Sequence, residues 1–168
     1  PKENKELPTK DHASPRRQPG GGEKPKKDPP KLNGLKEKKL KVLLISGSAE
    51  SKSDDTLPIF QKHLEANYPV ECVRAFRKTD EDLPGLEALE KCEVAVLFTR
   101  RLKLEGDQLE RIKKYCSSGK HLVGIRTASH GFAPRGADIG KGAAWTSFDP
   151  EVLGGNYNNH YGSGPKTK

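Results

Sequence analysis

The stretch HLVGIRTASHGF, residues 121–132, runs a strand-like apolar segment into a turn with no loop between them. Leu122, Val123 and Ile125 suit a buried strand, and Thr127, Ala128 and Ser129 then open a helix start. A strand delivered directly into a helix is the seat on which many α/β enzymes mount a nucleophile. The residue at its tip is Arg126. A guanidinium stays protonated at physiological pH and cannot attack a carbonyl, so the seat is present without a nucleophile.

Upstream of this segment the hydrophobic pattern alternates between two periods. KVLLIS (41–46), VECVRA (70–75) and EVAVLFT (93–99) are apolar runs of strand length, and HLVGIR (121–126) is the fourth. Between the first two, Leu57, Phe60 and Leu64 form a helical stripe. Asp55 or Thr56 is placed to cap it, Pro58 falls in its first turn, and Asn67-Tyr68-Pro69 stops it. LPGLEALEK (83–91) predicts a short helix. EGDQLERIKKYCSSG (105–119) predicts a longer one, with Leu109, Ile112 and Cys116 inward. Asp107–Arg111 and Glu110–Lys114 are the expected i, i+4 pairs, and Gly119 the terminator. Strands alternating with helices imply an α/β fold, an open doubly wound parallel sheet with right-handed crossovers. Beyond Phe132 the pattern thins to Gly/Ala-rich loop. One helical turn is expected in SFDPEVLGG (147–155), capped by Ser147 or Asp149. Four strands with no closing fifth suggest a domain truncated at its C-terminus.

Charge is unevenly distributed. Residues 1–39 hold 12 Lys+Arg and 6 Asp+Glu, and so carry +6 of the chain's net +8. The remainder, with 19 against 17, is nearly neutral, which argues against a basic nucleic-acid-binding face. The first 39 residues are rich in Pro, Gly and Lys and poor in large apolar side chains. They are expected to be a disordered tether ahead of an α/β domain at 40–168. No apolar run is long enough to span a bilayer. The chain opens on Pro1 and contains no Met, so the lack of a leader is uninformative. A Lys/Pro-rich tether often follows a cleaved signal peptide, which leaves an extracytoplasmic and a cytoplasmic place both open. Cys72, Cys92 and Cys116 stand at no metal spacing and are expected as small core residues.

In an open parallel sheet, ligands bind beyond the carboxyl ends of the strands. Those ends deliver Arg100 and Arg101 after the third strand. The fourth delivers Arg126, Ser129 and His130. Guanidinium groups there suit anionic or multiply hydroxylated ligands, or else pair with Asp54, Asp80 or Glu81. GGNYNNHYG (154–162) adds Asn156, Asn158, Asn159 and His160, whose donors and acceptors match sugar hydroxyls. The hydroxyl-rich loop SGSAESKS (46–53) is the feature by which flavodoxin-like proteins hold a flavin phosphate. The loop after the third strand, however, lacks the aromatics that sandwich the ring. No cofactor is expected. A metal would need His130, His160 and Asp149 together, and none is assigned.

Three segments carry a resemblance: VAVLFTRRLKL (94–104), LERIKKYCSSGKHLVGIRTASHGF (109–132) and FDPEVLGGNYNNHYG (148–162). Together they resemble the ThuA-like, or trehalose-utilisation, family, over about residues 40–162. The resemblance implies a class I glutamine amidotransferase-like three-layer sandwich, related to the flavodoxin-like sheet. The amidotransferase form of residues 122–130 reads apolar-apolar-G-I-C-x-G-x-Q; here Gly124 and Ile125 match and Arg126 replaces the cysteine. The resemblance further implies a role in disaccharide or keto-sugar metabolism without glutaminase activity. The candidate ligand-binding residues are Arg100, Arg101, Arg126, Ser129, His130, Asn159 and His160, with His130 and His160 as candidate catalytic groups. A non-catalytic, tethered carbohydrate-binding domain is the alternative.

Overall fold

A computed structural model describes residues 38–135 and 144–158, which belong to one compact unit, Lys36–Lys168. The tether expected at 1–39, apart from Lys38 and Lys39, and residues 136–143 and 159–168 lie outside the described residues. Four strands form a single sheet: β1 (Leu40–Gly47), β2 (Val70–Phe76), β3 (Val94–Thr99) and β4 (His121–Gly124). The order is β2-β1-β3-β4 and every pairing is parallel. Among the described residues, no helix is long and apolar enough to cross a membrane.

The sheet is covered on both faces, and this accounts for the unbroken apolar runs. Along β1 and β3, Val42, Leu44, Val96 and Phe98 point to one side. There they meet Leu57 of α1 (Ser53–Asn67). Leu43, Ile45, Ala95 and Leu97 point to the other. They pack with a 3₁₀ turn (Leu86–Glu90) and with Leu109, Ile112 and Tyr115 of α2 (Gly106–Ser117). The second side is the larger core and includes Leu83, Leu102, Phe132 and Phe148, all at most 1 % exposed. Each such side chain contributes about 1.5–3 kcal/mol by leaving water. The outcome is the expected α/β architecture: a four-stranded parallel sheet with helices on either face, in the order of flavodoxin-like sheets.

Several local expectations are corrected. Helix α1 begins at Ser53, before Asp55 and Thr56, and Pro58 lies inside it. Tertiary bonds set that start: the Ser48 amide donates to Ser53 Oγ at 2.9 Å, and Ser53 Oγ is 2.7 Å from Ser46 Oγ. Phe60 of its stripe is 37 % exposed, and Leu57 is the large apolar residue that α1 buries. The segment 83–91 forms only the five-residue 3₁₀ turn. The expected i, i+4 pairs on α2 give way to Arg111–Glu90 at 2.5 Å and Lys113–Glu110 at 2.9 Å. Glu90 ends the neighbouring turn and presents its carboxylate across to Arg111. Tyr115 joins the buried stripe, while Cys116 is only half-buried. Gly119 does terminate α2, at φ 75°, where a side chain would be strained. The turn in 147–155 is π-helical, Asp149–Leu153, and neither Ser147 nor Asp149 caps it through a side chain.

Candidate functional site

Strand β4 ends two residues before the sequence pattern suggests. Ile125 remains extended and its amide donates to Leu97 O at 2.9 Å, but Arg126 turns into the left-handed region, φ 48°. A 3₁₀ turn, Arg126–His130, follows at once. This is the sharp elbow expected of residues 121–132, with a non-glycine residue held in a strained conformation at its tip. Thr127 pins the elbow to its neighbours. Its hydroxyl donates to Thr99 O at 2.8 Å and lies 3.3 Å from Ser48 Oγ.

The end of β3 is built in a related way. Arg101 is also left-handed, φ 53°. Its amide donates to His130 O at 3.0 Å, and that of Leu102 to Gly131 O at 2.7 Å. Burial of Leu102 draws this segment inward and sets Arg101 beside His130. The Arg101 guanidinium donates through Nη1 to Ala133 O at 2.9 Å. Its buried Nε has no hydrogen-bond partner among the described residues. Burial, reinforced by the neighbouring charges of Arg100 and Arg135, holds its pKa below the ordinary guanidinium value. Of the three non-glycine residues with positive φ among the described residues, two are therefore the arginines closing adjacent strands. The third, Lys52, precedes α1.

Opposite them, the chain after the π-helical turn folds back over the rim. Gly154 reverses direction at φ 70°. Asp149, 6 % exposed, then secures the return: its carboxylate accepts the Tyr157 amide at 2.7 Å and its carbonyl the Gly155 amide at 3.1 Å. Tyr157 stacks on His130, ring centroids 4.4 Å apart at 21°. Nδ1 of His130 lies 3.2 Å from Ser129 Oγ. The resulting half-open cavity is about 360 Å³, with Arg101, Ser129, His130, Asn156 and Asn158 among its walls. That volume falls in the range of small-molecule sites. A second cavity, about 210 Å³, shares Arg101 and Arg135 with the first and is also lined by Arg100 and Lys103. Such walls offer hydroxyl, amide, imidazole and guanidinium groups, which can hold a polyhydroxylated ligand and exchange a proton with it.

The sequence-based candidates are thus sorted. Arg101, Ser129 and His130 share one cavity. Arg100 lines only the adjoining one, ion-paired to Glu50 at 2.7 Å rather than to Asp54, Asp80 or Glu81. Those three acids take Ser46, Arg77 and Lys103 instead. The Arg126 side chain is exposed, lines neither cavity, and has no ion pair among the described residues. Asn159 and His160 lie outside the described residues. Arg135 and Tyr157 are not marked by local pattern: Tyr157 is placed by Asp149 and by its stack on His130, and Arg135 by its position in the walls of both cavities.

Two other features are not sites. The flavin-type loop is already satisfied, because Ser46, Ser48 and Ser53 bond one another and Asp54 accepts the Ser46 hydroxyl. A carboxylate thus occupies the helix start where a phosphate would have to sit. A larger hollow, about 640 Å³, lies between the 3₁₀ turn at 86–90 and α2, away from the strand ends. Its Lys120 and Arg111 are bound to backbone carbonyls and to Glu90. Among the described residues no three His, Cys, Asp or Glu side chains are grouped to hold a metal. No family model, no curated protein and no solved structure matches the chain.

Proposed function

We propose that the domain binds a disaccharide or keto-sugar at the carboxyl rim of the sheet and has no glutaminase activity. The observation carrying this reading is the pair of left-handed arginines, Arg101 and Arg126, at the ends of adjacent strands. A cavity walled by Ser129, His130, Asn156 and Asn158 opens beside the first of them. Backbone strain of about 1–3 kcal/mol per residue is retained where geometry serves a ligand, and here it sits at two neighbouring strand ends. The elbow with arginine at its tip agrees with a ThuA-like domain of the class I glutamine amidotransferase-like type that has lost its nucleophile. Within that reading His130, stacked and oriented by Tyr157, is the group able to exchange a proton with a sugar hydroxyl or keto function.

Calorimetric titration with trehalose and with a keto-disaccharide tests the proposal. Saturable binding is expected, weakened tenfold or more in His130→Ala, the size of a lost buried hydrogen bond to the ligand. Glutamine should release no ammonia, and Arg126→Cys should not create that activity. Absence of saturable heat with either sugar, or ammonia release by the wild type, overturns the reading.

A further inference from the structure

We propose that the sugar taken by this rim is an acidic one, a polyhydroxylated ring bearing a single carboxylate, with that carboxylate seated between Arg101 and Arg135. The inference rests on the sugar-site reading above and adds the charge of the ligand.

The argument begins with which cations are already matched. Arg100 has Glu50 at 2.7 Å, and Lys103 has Glu81 at 3.4 Å. Arg101 and Arg135, which line both cavities, have no ion pair among the described residues. The only hydrogen bond donated by the Arg101 side chain among the described residues goes to a neutral carbonyl, and its Nε is buried without a partner. A desolvated guanidinium with only a neutral acceptor favours a charged one. The charge of the ligand follows from the walls. Among the described residues lining the two cavities, Arg100 is paired with Glu50, Lys103 with Glu81 and Asp80 with Arg77, which leaves Arg101 and Arg135 against the one carboxylate of Asp149. The surplus is one positive charge. A monoanion neutralises it, whereas a phosphate dianion would overshoot it. The remaining walls, Ser129, His130, Asn156 and Asn158, suit hydroxyls, so the anion and the polyol belong to one ligand.

The test compares D-glucuronate, D-glucose and inorganic phosphate by titration at pH 7, in wild type and in Arg135→Gln. Arg135 is exposed, so the variant should keep the wild-type melting temperature. Glucuronate is expected to bind at least tenfold more tightly than glucose, the size of one charge-assisted hydrogen bond, and to weaken with added salt. Arg135→Gln should bring glucuronate down to the level of glucose, and the ratio of the two affinities in the same protein is the readout. Equal binding of glucose and glucuronate, or a preference that survives in Arg135→Gln, overturns this inference and leaves the sugar site standing. Phosphate binding as tightly as glucuronate overturns it in favour of a simple anion site. If neither these sugars nor the disaccharides bind, the sugar reading itself falls.

Discussion

Gly131 backs onto Thr99: a Cβ added to the glycine would overlap the threonine Oγ1 and lie 3.1 Å from Ala128 O. This close approach lets the 3₁₀ turn carrying His130 lie against the end of β3. Gly131→Ala should therefore cost about 1–3 kcal/mol by overpacking. Most of that penalty should vanish in a Thr99→Ala background, and urea unfolding of the four proteins in the cycle measures the coupling. Additive effects would show that the turn moves freely against the strand.

Arg126 supports a paired prediction. Alanine at φ 48° keeps the backbone strain, and the arginine has no ion pair among the described residues, so Arg126→Ala should melt within a degree or two of wild type. Glycine relieves the strain, and Arg126→Gly should be about 1 kcal/mol more stable. Because Arg126 lines neither cavity, both variants should keep wild-type sugar affinity on titration. A large drop in melting temperature for Arg126→Ala would instead make the arginine a structural prop.

How far the fold could be read ahead of the structure depended on range. EVAVLFT (93–99) is observed as Val94–Thr99 and KVLLIS (41–46) as Leu40–Gly47, because a strand covered on both faces must be apolar at every position. The start of α1 was missed because Ser53 is tied to Ser46 and Ser48, bonds no local pattern encodes. The rim divides similarly. His130 and Arg101 were visible because strand ends name themselves. Tyr157 was not, because its place depends on Asp149 accepting its amide.

Lys120 closes the 3₁₀ turn. Its ammonium donates to the carbonyls of Leu89, Glu90 and Cys92 at 3.1–3.2 Å and lies 5.6 Å from the Tyr115 ring centroid. Lys120→Met keeps the stem and removes all three bonds. Leaving partly buried carbonyls unsatisfied should cost about 1–3 kcal/mol, with faster amide exchange confined to residues 86–92. Unchanged exchange there would show that water replaces the ammonium without loss.

Alkaline stability should be limited by the same side of the sheet. Burial raises the Cys116 thiol from its ordinary 9.0 to about 11, and raises Cys92 and Tyr115 in the same direction. The folded protein holds protons that the unfolded chain releases. Stability is therefore full below pH 9 and falls as pH rises from 9 through 11. Urea midpoints at pH 8, 9.5 and 11 should decline in that order, and Cys116→Ala should flatten part of the decline. A midpoint that is level across this range would contradict the burial argument.

The strand order has a consequence for synthesis. β1 has six buried residues of eight, and one of its two partners is β3, with Val42 opposite Val94. On a ribosome adding about 5–20 residues per second, β1 keeps one bare edge for roughly 3–10 s before β3 arrives. Lys38, Lys39 and Lys41 stand at the head of that apolar run, where charge discourages the nascent strand from pairing with another chain. When β3 arrives it brings Glu93, which accepts the Lys38 ammonium at 3.1 Å and the Lys41 amide at 2.8 Å. The residues that guard the strand while it waits become part of the latch that closes it.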